Sequence, residues 1–237
     1  MEPSLPPDRT ARVAGALYLA VVVLSVFALG TVGGIVEGDD PAATSRNLAE
    51  AAGGYRLAVV ANLVATLCYI GVVGLLNELL RPVQPGISRL ALLFGLGGCV
   101  VGAVSAALQL AGAAMLTGPA AAAGAPAAHS LLVAGILANG VALTLFGCYC
   151  LLLGWLVYRS GFIPRLFGAL LMLSGAAWLA GNLVILAEPA LGGRFLVIVG
   201  VAALGEILFT LWLLFKGVDE ARWNAPAGRA GGGEAAV

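Results

Sequence analysis

Six long apolar runs constrain this 237-residue chain more than any other feature. They cover 13–36, 57–80, 90–116, 130–158, 166–187 and 195–215. About 20 apolar residues in a helix, at 1.5 Å each, cross a roughly 30 Å hydrocarbon core. Charges bracket the runs: Arg12, Glu37, Arg56, Arg81, Arg89, Arg159, Arg165, Glu188, Arg194 and Lys216. Alternation with a period of two, the mark of a membrane β-barrel, is absent from the sequence. The expected fold is therefore all-α, a polytopic membrane bundle of six transmembrane helices. Composition agrees: 61% of residues are hydrophobic and 10% charged, against about 45–50% and 25% in soluble domains. So little charge excludes an ordinary soluble enzyme, a nucleic-acid binder and a disordered chain. A net charge of zero gives no field to recruit polyanions.

Lys and Arg in short loops set orientation. With the N-terminus inside, nine fall on the inner side: Arg9, Arg12, Arg81, Arg89, Arg159, Arg165, Lys216, Arg222 and Arg229. Three fall outside, namely Arg46, Arg56 and Arg194. Both termini are expected in the cytoplasm. Residues 1–12 read as a cytoplasmic tail, 13–218 as the six-helix domain and 219–237 as a polar, Gly-rich, disordered tail. The first run is longer than a signal-peptide core of about 7–15 residues and reads as a retained anchor.

The inner connections 81–88 and 159–164 are Pro/Gly turns between antiparallel neighbours. In the first outer loop, Asp40 can cap a helix with Pro41 at its first position and Gly53 near its end. That predicts a short surface helix over 41–52. The second outer loop, 117–128, is rich in Ala, Gly and Pro and is expected to be irregular.

Between helices in lipid, small residues and hydrogen bonds do the packing. The chain has 34 glycines. Gly95, Gly98, Gly102, Ala106, Gln109 and Ala113 form a small-residue stripe in the third run; Gly168, Gly175 and Asn182 share a side of the fifth. These faces are expected to bring backbones close.

Few polar groups lie within the runs. Asn62, Gln109 and Asn182 sit about 8–10 Å below the outer ends of their helices and Asn139 about 14 Å. Four amides in one half of the bilayer suggest the lining of an outward-opening cavity; a packing network, with bonds of roughly 0.6 kcal/mol each, is the alternative. Glu206 is the sharpest residue. It is near the middle of the last run, where an ionised side chain costs at least about 2.5–3.5 kcal/mol. Ala202, Ala203 and Thr210 surround it at helical spacing, so its face should point into the bundle. An intramembrane carboxylate is a functional candidate by default; a carboxyl bonded to a backbone carbonyl or an amide is the structural alternative. Glu78, three residues before Arg81, reads as an interfacial ion pair or a snorkelling side chain.

No catalytic or cofactor constellation emerges. His129, the single histidine, sits at the outer mouth of the fourth run. A haem wants axial ligands at depth, and His-Glu-x-x-His is missing. Cys68, Cys99, Cys148 and Cys150 all fall within runs and read as small apolar residues. No Gly-x-Ser-x-Gly occurs. Ser25, Ser105 and Ser174 read as packing residues. The Asp39/Asp40 pair could touch a divalent cation, but a helix cap in a solvated acidic loop explains it as well.

Several segments at the run edges go together: Arg12-Val13-Ala14-Gly15-Ala16-Leu17-Tyr18, Arg56-Leu57, Arg81-Pro82-Val83, Tyr158-Arg159-Ser160-Gly161-Phe162-Ile163-Pro164, Gly205-Glu206 and Leu211-Trp212-Leu213-Leu214-Phe215-Lys216-Gly217-Val218. In these the chain resembles the bacterial multi-pass membrane family known as domain of unknown function 4386, over about residues 9–218. The resemblance implies six helices in a bacterial membrane and no known activity. The family often has Asp where this chain has Asn62, so a carboxylate pair with Glu206 is missing here.

The expectation is a non-enzymatic multi-pass protein of the bacterial cytoplasmic membrane that needs no cofactor, metal or nucleic acid. It would bind or transport a small or lipidic ligand between helices, with Glu206, Asn62, Gln109, Asn139 and Asn182 as candidate ligand-binding residues. The alternative is an accessory module that partners another protein, as a homo- or hetero-oligomer, through Gly-rich helix faces.

Overall fold

The structure is a computed structural model that describes residues 5–37, 40–117, 121–188 and 192–225, with the backbone alone at 121–123, 192–199 and 201–202. Six long helices follow one another: α1 (Pro7–Val32), α2 (Pro41–Leu80), α3 (Pro85–Leu116), α4 (Ala121–Ser160), α5 (Arg165–Ala187) and α6 (Gly192–Phe215). A single turn, α7 (Glu220–Trp223), completes the described chain. Each long helix packs on its neighbours in sequence, α6 returns to α1, and α2 also touches α4. The result is a closed ring of antiparallel helices, with α3 wedged outside the α2–α4 contact. Helices α1 to α5 are each long and apolar enough to cross a membrane, and the described apolar stretch of α6 covers Ala203–Phe215. Val23, Val26, Leu29, Leu93, Val100, Leu166 and Leu173 are exposed around the ring. In water such a surface would aggregate; against lipid tails it is solvated.

Proline opens α1, α2 and α3, where its missing N–H costs nothing. Asp40 caps α2: its Oδ1 accepts from Ala42 and Ala43 N–H at 2.9 Å each. These bonds, Ala43's foremost, hold the Asp40 carboxyl below the usual range. Asp39 lies outside the described residues. The short helix expected over 41–52 forms but does not stop at Gly53. It bends at Ala51 (φ −115°, ψ 17°) and continues as α2 to Leu80. The loop expected over 117–128 is also mostly helical. Its residues 118–120 lie outside the described part, and α4 starts at Ala121 with Pro126 inside it. Alanine supplies the helix propensity there.

One end of the ring, here the terminal face, carries both ends of the described chain. Asp8 N–H donates to Glu220 Oε1, Asp219 N–H to the Phe162 carbonyl and Arg222 to the Gly161 carbonyl. Trp223 Nε1 donates to the Leu79 carbonyl at 2.9 Å, satisfying one of the carbonyls left open at the end of α2. Within the tail expected to be disordered from 219, α7 forms over Glu220–Trp223 with these partners; residues 226–237 lie outside the described part. Helix α1 likewise starts at Pro7, inside the expected tail. Asp8 pairs with Arg12 at 2.8 Å. Glu78 is exposed, and no ion pair of it is found among the described residues.

Glycine sets the closest contact. A Cβ on Gly168 would lie 2.5 Å from Tyr158 N and 2.7 Å from Gly154 O; one on Gly154 would lie 2.7 Å from Met172 N and 2.8 Å from Gly168 O. Gly147 and Gly175 repeat the contact two turns away, at 2.7 Å from Leu179 N and 2.6 Å from Leu151 N. Helices α4 and α5 therefore touch backbone to backbone. The α3 stripe works differently. Gly95 and Gly98 make room for side chains, Val73 and Tyr149 at one and Phe146 at the other.

Candidate functional site

Glu206 lies on α6, about 14 Å from its terminal-face end at 1.5 Å per residue. The ring geometry brings three other helices to it. Tyr18 on α1 donates its hydroxyl to Glu206 Oε2 at 2.6 Å. Trp178 on α5 donates its indole N–H to Glu206 Oε1 at 2.5 Å. Cys150 on α4 sits beside the carboxyl and the hydroxyls of Tyr18 and Tyr69. Both carboxyl oxygens are thus held by neutral donors from opposite sides. Thr210, one turn on, donates back to the Glu206 carbonyl.

An aromatic shell backs the carboxyl. Tyr18 and Tyr69 meet edge to face at 5.4 Å, and Tyr69 meets Tyr149 at 5.9 Å and Phe146 at 4.8 Å. Tyr18, Tyr149 and Cys150 are no more than 2% exposed. As whole residues, Glu206 and Trp178 remain half-buried. Gly205 lets α6 approach α5, since a Cβ there would lie 2.8 Å from Ser174 Oγ. Gly15 does the same for α1, where a Cβ would meet Leu214 N at 2.6 Å.

The four amides do not join this cluster as one network. Gln109 is buried near the opposite face. Its Oε1 accepts from the Tyr55 hydroxyl at 3.1 Å and its Nε2 donates to Ser105 Oγ at 3.0 Å; Ser105 donates to the Gly135 carbonyl at 2.7 Å. That chain ties α2, α3 and α4 together and leaves little of Gln109 to a ligand. Asn182, also buried, donates to the Trp178 carbonyl at 2.8 Å, inside its own helix. It buttresses the residue that holds Glu206 without touching the carboxyl. Asn62 and Asn139 are half-buried, and no side-chain hydrogen bond of either is found among the described residues. Among the described residues no side-chain hydrogen bond joins Glu206 to any of the four amides, and Gln109 and Asn182, expected at similar depth, bond in different directions. His129, expected at the surface, is buried at 9% exposure.

Tyr18, Trp178, Cys150 and Tyr149 were not legible as site residues, because each reads as an ordinary apolar residue within its run. Their depths could have found them. From the terminal face, Tyr18, Tyr69, Tyr149 and Cys150 lie about 15–17 Å in and Trp178 about 20 Å, close to the level of Glu206.

The family described as a domain of unknown function (DUF4386) matches residues 13–217. An uncharacterized protein of Archaeoglobus fulgidus is 35% identical over 72 residues, which is 30% of this chain and 41% of that protein. The chain therefore spans less than half the length of that relative. No solved structure matches. With the family match reaching from within α1 to past the end of α6, the chain belongs to the DUF4386 family.

Proposed function

We propose that this multi-pass membrane protein binds or moves a small or lipidic ligand between its helices, at a site centred on Glu206. One observation carries the reading: the carboxyl of a half-buried intramembrane glutamate is gripped through both oxygens by donors from two other helices. A carboxylate in hydrocarbon is costly to keep, and neighbours that orient it rather than neutralise it suit a group that must meet something else. Tyr18 and Trp178 would position the carboxyl, and Asn182 would steady Trp178. Gln109 drops from the site to a structural role. The nine-to-three distribution of Lys and Arg supports both termini on the cytoplasmic side, in what we take to be a bacterial cytoplasmic membrane. It acts without covalent catalysis. The accessory-module alternative is weakened because Gly147, Gly154, Gly168 and Gly175 are spent on contacts inside the ring.

The test is Glu206→Gln, which keeps shape and removes charge. Wild type and variant are purified in mild detergent and melted against panels of lipids and small metabolites. At least one ligand should stabilise the wild type and lose most of that effect in the variant. Equal responses across the panels would remove Glu206 from the site.

A further inference from the structure

The space behind Glu206 is filled. Tyr18, Tyr69, Tyr149 and Cys150 are 1–6% exposed and their rings pack edge to face. No Arg, Lys, His or second carboxyl among the described residues forms an ion pair with Glu206. The titratable groups that face it are Tyr18 from α1, Tyr69 from α2, and Cys150 and Tyr149 from α4; from α5 comes the indole of Trp178. On this inner side no bulky ligand fits without expelling aromatic rings. A proton needs no volume.

The same side holds the parts of a proton route. A tyrosine hydroxyl both donates and accepts, so it can pass one proton on as it receives another. Tyr18 is bonded to the carboxyl, and Tyr69 stands edge to face against Tyr18 with ring centroids 5.4 Å apart. The Tyr149 hydroxyl is buried without a hydrogen-bond partner among the described residues, an arrangement that native proteins normally resolve with water. Tyr149 is also one of the residues around a cavity of about 10 Å³, together with Asn77 and Ser88. That volume is the least that accommodates one water, for which about 10–15 Å³ is needed, provided polar partners surround it. Asn77 lies three residues from the end of α2, and Ser88 donates to its Oδ1 at 2.8 Å. Both sit just inside the terminal face, so the cavity lies between that face and the tyrosine cluster.

We propose that Glu206 takes up and releases a proton, reached from the terminal face through water at Asn77, Ser88 and Tyr149 and then through the hydroxyls of Tyr69 and Tyr18. A proton enters on water, each hydroxyl accepts one and gives up its own, and Tyr18 delivers the last to Glu206 Oε2. Every relay group ends with the protons it began with, and only the carboxylate becomes a carboxylic acid. Release runs the reverse course. This deepens the ligand site proposed above by adding the proton as the species exchanged on its inner side, and it rests on that reading for its purpose.

Infrared difference spectroscopy after a pH step tests it on the full chain in detergent or liposomes. Wild type should show the carbonyl band of a carboxylic acid in apolar surroundings that rises and falls with pH, is shifted by ¹³C-glutamate labelling and is absent in Glu206→Gln. Tyr149→Phe should keep the band and its midpoint but slow its appearance by about a hundredfold or more, a kinetic loss of the size proton-transfer groups give. Tyr18→Phe should move the midpoint. The labelling arm stands even if Glu206→Gln fails to fold. Absence of any titrating apolar carboxyl band in the wild type overturns the proposal. A band that appears at wild-type speed in Tyr149→Phe overturns the route. Ligand stabilisation that depends on Glu206 without a titrating band leaves the ligand site standing and removes the proton; a titrating band with ligand responses equal in wild type and Glu206→Gln does the opposite.

Discussion

Gly168→Ala should be the most damaging single methyl in the protein. Its Cβ would lie 2.5 Å from Tyr158 N and 2.7 Å from Gly154 O, whereas ordinary contact begins at 3.4 Å. The shortfall is 0.9 Å against backbone, which cannot rotate away as a side chain can. Helices α4 and α5 must therefore part along a seam that Gly147, Gly154 and Gly175 hold equally tight. Overpacking of this kind costs about 1–3 kcal/mol, or roughly 2–12 °C of apparent melting temperature for a chain of this length. Tryptophan fluorescence on heating in one fixed detergent measures it, with Trp178 on the displaced helix. Gly154 and Gly168 face each other, so Gly154→Ala/Gly168→Ala should lose less than the two single losses added. Gly74 supplies the control, because a Cβ there meets nothing within 4 Å; Gly74→Ala should melt like wild type. A wild-type melting temperature in Gly168→Ala, or an equal loss in Gly74→Ala, refutes the backbone-contact argument.

Gln109→Leu strips the Tyr55 hydroxyl and Ser105 of their partner; at roughly 0.6 kcal/mol per membrane hydrogen bond it should cost about 1 kcal/mol in the same melt. Ligand responses that depend on Glu206 should survive it. Asp40 predicts a pH effect. Its folded carboxyl titrates below the ordinary 3.8, so its stabilisation of α2 is complete above that value and is lost as pH falls through the lower folded value. Hydrogen exchange at the Ala42 and Ala43 amides should stay protected down to pH 3.8 and open below it, while Asp40→Ala should open them at every pH. Trp223→Ala releases the Leu79 carbonyl at a cost of about 0.5–1.5 kcal/mol, and limited proteolysis should then cut at 219–225 in the variant first.

What was legible in the sequence was whatever depends on one coordinate. Run length gave the helices, and flanking Arg and Pro marked most of their ends, although α2 and α4 start well before the expected runs, at Pro41 and Ala121. Glu206 stood out because a charge at mid-depth needs no knowledge of its neighbours. Gly168 and Gly175 were visible as a face because they are spaced at seven. The site itself needs a second coordinate, the direction in which each residue points around the ring. Gln109 and Asn182 share a depth, yet one points at Tyr55 and Ser105 and the other back at its own helix. Which helices become neighbours is settled by where backbones can touch, and that depends on pairs of glycines in different helices, such as Gly154 with Gly168. Gly15 and Gly205 make the point for Glu206. They bring α1 and α5 close enough to α6 for Tyr18 and Trp178 to grip one carboxyl, and neither glycine is distinguishable in sequence from the others among the 34. Three of the five tyrosines, Tyr18, Tyr69 and Tyr149, gather at one level around that carboxyl. In an apolar run a tyrosine counts as hydrophobic, so its hydroxyl is overlooked. Yet inside a membrane that hydroxyl must find a partner, and a mid-depth tyrosine on each of three helices is itself a sign that something polar lies between them.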